Sequence, residues 1–235
     1  MISTLEKEIA FRFLKARKKD GFLNVISIFS FIGISLGVAV LIIVMSVMNG
    51  FRTELINKIV GFNSHVTVKP YTQSININEF NNSNLELISK NLIFSNSSEA
   101  IIIGEESSKG VILRGYLKND FSNLEVINNK KFEGKNIKLD KNLISIGREL
   151  SFNLNLQIGD SISIMSSSGI ETIIGNLPKK KTFIISSIFD SGLADFDNNI
   201  VFLNLETLEE FSNLDSKSRN LEIYLKNPQK IENQK

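Results

Sequence analysis

The sequence predicts an α+β protein: one N-terminal membrane-spanning helix, a helical stalk, and a mixed α/β domain behind it. Three observations lead there. Phe22 to Phe51 holds no charged residue and is almost wholly apolar from Val25 to Met48. Helical spacing of apolar residues runs on past it to Val60. From Ser64 a period-two alternation takes over, broken by short helical patterns and turns.

Residues 1–21 come first. Leu5, Ile9, Phe13 and Ala16 recur every three or four positions opposite Lys and Glu, the pattern of an amphipathic helix over Thr4–Ala16. These 21 residues carry six basic and three acidic side chains, a net of +3, which leaves −1 for the remainder of a chain whose total is +2. Arg17-Lys18-Lys19 directly precede the apolar run, and basic residues there favour the cytoplasmic side. The N-terminus is therefore expected inside and the large domain outside.

The span, residues 22–51, is next. At about 1.5 Å per residue, Val25–Met48 is about 36 Å long, enough to cross a hydrocarbon core of about 30 Å. A cleaved signal peptide has an apolar core of roughly 7–15 residues and a small-residue cleavage site. Here the leader contains Glu6 and Glu8, and the apolar run ends in Val47-Met48-Asn49-Gly50-Phe51, so a retained helix is expected. Gly33-x-x-x-Gly37 is a small-xxx-small pattern. It reads equally as a packing face for another helix and as ordinary glycine usage in membrane helices. Phe51, Leu55, Ile56, Ile59 and Val60 then continue the helix as a stalk over 52–63, with Gly61 as its C-cap.

Residues 64–235 form the outer domain, with a small β-rich lobe at about 143–190. Strands are expected at 65–69, 101–103, 111–116, 161–165, 182–189, 199–203 and 221–225. Helices are expected from Asn78 to Ile88 and at Ile146–Phe152 and Leu205–Phe211, and polar loops at Asn81–Asn84 and Asn128–Lys131. Ser166–Lys181 lies between two strong strands and is too long for a tight turn, which suggests a functional loop. Its aliphatic residues Ile170, Ile173, Ile174 and Leu177, with Lys179-Lys180-Lys181 beside them, would suit a partner with an acidic rim; the plain alternative is a solvated basic loop.

Several chemistries are excluded. The chain has no cysteine and one histidine, His65, so thiol sites and most nucleophile–base pairs are ruled out. There is no phosphate-binding G-x-x-x-x-G-K-[ST] motif, no G-x-S-x-G and no H-E-x-x-H. No cofactor is expected on this chain, and no basic face large enough for nucleic acid is left over. Asp190, Asp195 and Asp197 share one loop, but their spacing is not that of a calcium-binding loop. An enzyme is not expected.

A set of landmarks in order resembles one family. These are Arg12…Arg17, Ile32-Gly33-Ile34-Ser35-Leu36-Gly37-Val38, Ser46-Val47-Met48-Asn49-Gly50-Phe51…Glu54-Leu55, Ile146-Gly147-Arg148-Glu149-Leu150, Gly159-Asp160, Gly175-x-Leu177-Pro178, and Phe183…Phe189-x-x-Gly192-x-x-Asp195-x-Asp197. The chain resembles the permease subunits of the lipoprotein-releasing ABC transporters, the LolC/LolE type. The resemblance implies a MacB-like periplasmic core between the first and second of four spans, in the bacterial inner membrane. Three C-terminal spans would then be missing, and Asn227 to Lys235 reads as the start of a further helix.

The resemblance further implies a second permease protomer, identical or paralogous, and a partner ATPase subunit that binds ATP and Mg. The implied substrate is an outer-membrane lipoprotein, passed to a soluble periplasmic chaperone. The segment matching Ser166–Pro178 would be a hook that grips the chaperone through Ile173, Ile174, Leu177 and Pro178, with Lys180 and Lys181 at the family's basic supporting positions. The hook's first proline is absent from Ser166–Ser168, and Ser163 stands at another position that is basic in the family. Acyl chains would lie against Val44, Val47, Met48, Phe51 and Leu55, whose plain role is lipid contact or helix packing. Two alternatives stay open: another MacB/FtsX-type ABC permease, or a single-span membrane-anchored binding module.

Overall fold

The computed structural model describes residues 4–14, 21–71, 74–76, 85–104, 107–124, 132–134, 139–172 and 175–226. The chain divides into two compact units, Met1–Ile56 and Asn57–Lys235. The expected cap at Asn78, the loops Asn81–Asn84 and Asn128–Lys131 and the segment after Lys226 lie outside the described residues.

In the first unit, α1 (Thr4–Leu14) begins where its amphipathic spacing suggests, and the expected end at Ala16 lies outside the described residues. Helix α2 (Gly21–Phe62) has 42 residues, about 63 Å at the standard rise, so span and stalk form one element. Its portion Val25–Ile56 is long and apolar enough to cross a membrane, and every side chain there is exposed. An apolar helix exposed on all sides is stable only among lipids or other helices. The helix passes through Gly50 and ends at Phe62, one residue beyond the expected cap; the Asn63 N–H donates to the Ile59 carbonyl at 3.1 Å.

Among its described residues the second unit has nine strands: β1 (Val66–Val68), β2 (Ser89–Ile103), β3 (Ser108–Tyr116), β4 (Phe132–Glu133), β5 (Leu143–Gly147), β6 (Ser161–Thr172), β7 (Gly175–Phe189), β8 (Ile200–Asn204) and β9 (Asn220–Leu225). They pair in the order β1-β9-β2-β3-β8-β5-β7-β4, and β6 pairs with both β2 and β7. Strands β2, β3, β8, β5, β7 and β6 therefore form a closed circuit, a mixed barrel in which β3–β8 and β5–β7 run parallel. Closure covers the edges of these six strands where they pair around the circuit, and β6 and β7 run beyond it as a hairpin. The segment 143–190 supplies β5, β6 and β7, which pair with β8 and β2.

The alternation of each strand fills the barrel. Ala100, Ile102, Val111, Leu113, Ile144, Ile146, Ile162, Ile164, Phe183, Ile185, Val201 and Leu203 form one buried cluster, with contributions from all six strands. Helix α5 (Arg148–Asn153) adds Leu150 to it, and α7 (Leu205–Ser212) adds Leu208 and Phe211. Asn204 caps α7 by accepting from the Thr207 N–H, and Asn213 ends it in the left-handed region at φ 54°. Tyr116, Ile200, Phe202 and Tyr224 turn the other way, into a second cluster with Phe121 of α4 (Lys118–Phe121) and Leu124, Leu139 and Phe189. Two further short helices are α3 (Leu85–Ile88) and α6 (Ala194–Asn199).

Three expectations need correction. The strand read at 101–103 begins at Ser89, because the polar run Ser95–Glu99 is held in strand pairing with β3 and its buried hydroxyl and amide groups find partners. The helix read from Ile146 begins at Arg148, because Leu143–Gly147 is a buried barrel strand. The loop Ser166–Lys181 is largely a strand hairpin: β6 and β7 extend through it, with a register shift between Met165 and Gly169. Ser166–Ser168 sit in that shift, where the Ser167 hydroxyl donates to the Glu99 carbonyl at 2.8 Å and Ser166 Oγ accepts from the Ser168 N–H at 3.1 Å.

Candidate functional site

Two surfaces carry the residues singled out from the sequence. The first is on α2. Val44, Val47, Met48, Phe51 and Leu55 fall three or four residues apart on one helix, so they form a single stripe. All five are exposed, from Val47 at 66% to Leu55 at 38%. Gly33 and Gly37 lie on the same helix with nothing within 4 Å of where a Cβ would stand. Both features are apolar surface without a covering element among the described residues.

The second surface is the β6–β7 hairpin. Backbone register puts Gly169 opposite Pro178, Ile170 opposite Leu177 and Thr172 opposite Gly175, with Gly175 at φ +123° near the turn. Ile173 and Ile174 lie outside the described residues. Leu177 is 57% exposed, and Pro178 and Lys180 are exposed as well. Strand alternation separates the lysines: Lys179 and Lys181 share a face with Leu177, whereas Lys180 lies on the other face with Pro178. The Lys181 ammonium stands over the Phe183 ring, 5.3 Å from its centroid. The Lys179 ammonium donates to the Glu210 carbonyl at 3.0 Å and to Asn213 Oδ1, and the Asn213 amide donates to the Gly169 carbonyl at 3.1 Å. One lysine thus fastens the hairpin to the end of α7. Pro178–Lys181, Glu210 and Phe211 line a shallow hollow of about 450 Å³.

The other titratable candidates have structural surroundings. The Leu225 N–H donates to His65 Nδ1 at 2.8 Å, and the His65 ring meets Tyr224 edge-on at 6.1 Å. Asp190 accepts from the Gly192 N–H and lies 3.5 Å from Arg148, while Asp197 accepts from the Ser191 N–H. No group of three or more metal-binding side chains occurs among the described residues.

Sequence reasoning missed a buried polar cluster. Glu222 on β9 receives hydrogen bonds from Ser95 (2.6 Å), Arg114 (3.1 Å), Tyr116 (3.1 Å) and Tyr224 (2.9 Å). The Arg114 and Glu222 side chains are 13% and 6% exposed. Burial raises the pKa of both phenols, and the Glu222 charge raises them further, so both stay protonated and donate. Burial alone would lower the Arg114 pKa; its neighbours Tyr116, Glu222 and Tyr224 outweigh that and hold it as a cation. The two charges stand out in the sequence, Arg114 directly after the apolar run Val111–Leu113 and Glu222 as the one charge of β9, but nothing there shows that they meet.

Residues 27–233 match the family described as MacB-like periplasmic core domain. The chain is 28% identical over 221 residues to the lipoprotein-releasing system transmembrane protein LolC of Xylella fastidiosa, covering 92% of this chain and 53% of that one. It is 27% identical over 232 residues to LolC of Neisseria meningitidis, covering 96% and 55%. The resemblance to the LolC/LolE permeases read from the sequence is borne out. The chain spans about half the length of these relatives. The crystal structure of the periplasmic region of MacB from Actinobacillus actinomycetemcomitans is 12% identical, covers 66% of each chain and superposes with a TM-score of 0.42.

Proposed function

The chain belongs to the family of MacB-like periplasmic core domains, and on that premise we propose that it is a permease subunit of an ATP-driven, lipoprotein-releasing complex of the inner membrane. The complex takes lipoproteins bound for the outer membrane and hands them to a soluble periplasmic chaperone. The observation that carries the reading is the exposed apolar stripe Val44–Leu55 on a helix that continues to Phe62. Each acyl methylene moved from lipid into water costs about 0.8 kcal/mol, so a lipid anchor leaves the bilayer only along an apolar wall. The stripe supplies such a wall, and Gly33 and Gly37 give a second helix a close approach.

In this reading residues 1–21 are cytoplasmic, 22–51 cross the membrane, 52–63 form the stalk and 64–235 lie in the periplasm. A partner ATPase binds and hydrolyses ATP with Mg, and this chain has no catalytic role. A second permease protomer, identical or paralogous, completes the membrane bundle. The β6–β7 hairpin holds the chaperone through Ile173, Ile174, Leu177 and Pro178, with Lys180 and Lys181 in support.

The test is release from proteoliposomes. The full-length permease, reconstituted with its ATPase and a triacylated lipoprotein, is given ATP and the periplasmic chaperone. ATP-dependent appearance of lipoprotein in the soluble fraction is expected. Retention of all lipoprotein in the vesicles, under conditions where the ATPase turns over, would overturn the reading.

A further inference from the structure

The buried Glu222 cluster continues beyond the sheet to the end of α2. The second guanidinium nitrogen of Arg114 donates to Asn63 Oδ1 at 3.2 Å, and Asn63 directly follows α2. Two residues on, the His65 N–H donates to the Ile223 carbonyl at 3.1 Å, and the His65 ring packs on Tyr224, whose hydroxyl returns to Glu222. Asn63, Arg114, Glu222, Tyr224 and His65 thus close a circuit around the three-residue passage from α2 to β1.

An apolar pair of similar volume would hold β3 and β9 together across β2 at least as well as this ion pair does. It would not reach out to Asn63. Hydrogen bonds to charged groups are shorter and roughly twice as strong as neutral ones, and burial strengthens them further. A passage without such ties would absorb a displacement of α2 by rotating its own backbone.

We propose that this circuit is a joint that passes displacement of α2 into the barrel, with Arg114 as the positioning residue. The proposal rests on the permease reading above. Asn63 is the place to test it: it is partly exposed, and its loss leaves the four donors on Glu222 in place.

The experiment compares the full-length permease in its membrane complex with Asn63→Ala and with Asn63→Asp, which keeps an acceptor. Hydrogen–deuterium exchange is read in peptides covering 63–68 and in barrel peptides of β2 and β3, and ATP-driven lipoprotein release is read alongside. For Asn63→Ala we expect about tenfold faster exchange over 63–68, unchanged exchange in β2 and β3, and at least fivefold slower release. Asn63→Asp should restore both to within twofold. Unchanged exchange over 63–68 in Asn63→Ala, or faster exchange with wild-type release, would overturn the joint. If the unmodified complex releases no lipoprotein, the permease reading falls, and the exchange comparison alone decides whether Asn63 ties the passage.

Discussion

Gly147 lies so close to Asp197 that a Cβ on it would stand 2.1 Å from the Asp197 carbonyl oxygen. The contact lies where β5 turns into α5, against the C-terminal half of α6. The atoms in the way are backbone, so no rotamer change relieves them. Gly147→Ala is expected to destabilise the outer domain by about 1–3 kcal/mol, the range for overpacking a tight site. Thermal unfolding followed by circular dichroism checks this, and an unchanged midpoint would mean that α6 is free to move away.

Arg114→Met strands the Glu222 carboxylate in the interior. Breaking a buried pair by removing one partner costs about 3–5 kcal/mol. Adding Glu222→Gln removes the charge and keeps an acceptor for Tyr116 and Tyr224. The double variant is therefore expected to be more stable than Arg114→Met alone, by about 2 kcal/mol, within the usual range for coupled neighbours. Urea denaturation of the two single variants and the double one closes the cycle; strict additivity would sink the account.

Much of this was legible in residue order. The apolar run fixed α2, and alternation located five of the six barrel strands, because a period of two survives wherever one face is buried. What escaped had physical causes. Leu143–Gly147 is too short for its period to show, and its helix successor invites one reading for both. Ser95–Glu99 is polar in sequence but belongs to a strand, since Ser95 and Asn96 bond to Glu222 and Ser218. The stripe on α2 was readable because the helix carries it alone. The Glu222 cluster was not, because residues 63, 95, 114, 116, 222 and 224 meet only once the strands pair.

Asp197 gives a pH signature. Its carboxyl is buried, and burial raises its pKa above the ordinary 3.8; hydrogen bonds from Ser191 pull the other way, and the charges of Asp190 and Glu149 push further up. The folded state therefore holds this proton to higher pH than the unfolded chain does. Its contribution to stability is fully present below about pH 3.8 and is lost as pH rises through the raised value. Asp197→Asn keeps the Oδ1 acceptor for the Ser191 N–H and removes the titration. The gain in melting temperature of Asp197→Asn over the unmodified chain should thus be larger at pH 7 than at pH 4. An equal difference at both pH values would count against the shift.

The three consecutive lysines of β7 are expected to separate by role. Lys179 is fastened to Glu210 and Asn213, Lys181 covers Phe183, and Lys180 is exposed on the opposite face. Lys179→Met removes the tie between the hairpin and α7. Hydrogen–deuterium exchange over 175–180 should then rise severalfold, with a loss of about 0.5–1.5 kcal/mol in local stability. Lys180→Met leaves the contacts of Lys179 and Lys181 in place, so its exchange should match the unmodified chain. Under the proposed role of the hairpin, chaperone capture is expected to separate them again. An exposed charge acts chiefly on encounter, so Lys180→Met should slow association most at low salt and lose that effect at high salt. Lys179→Met should instead weaken capture at every salt concentration, because a hairpin that is no longer held in place must be ordered on binding. Equal exchange in the two variants would show that the α7 tie does not order the hairpin.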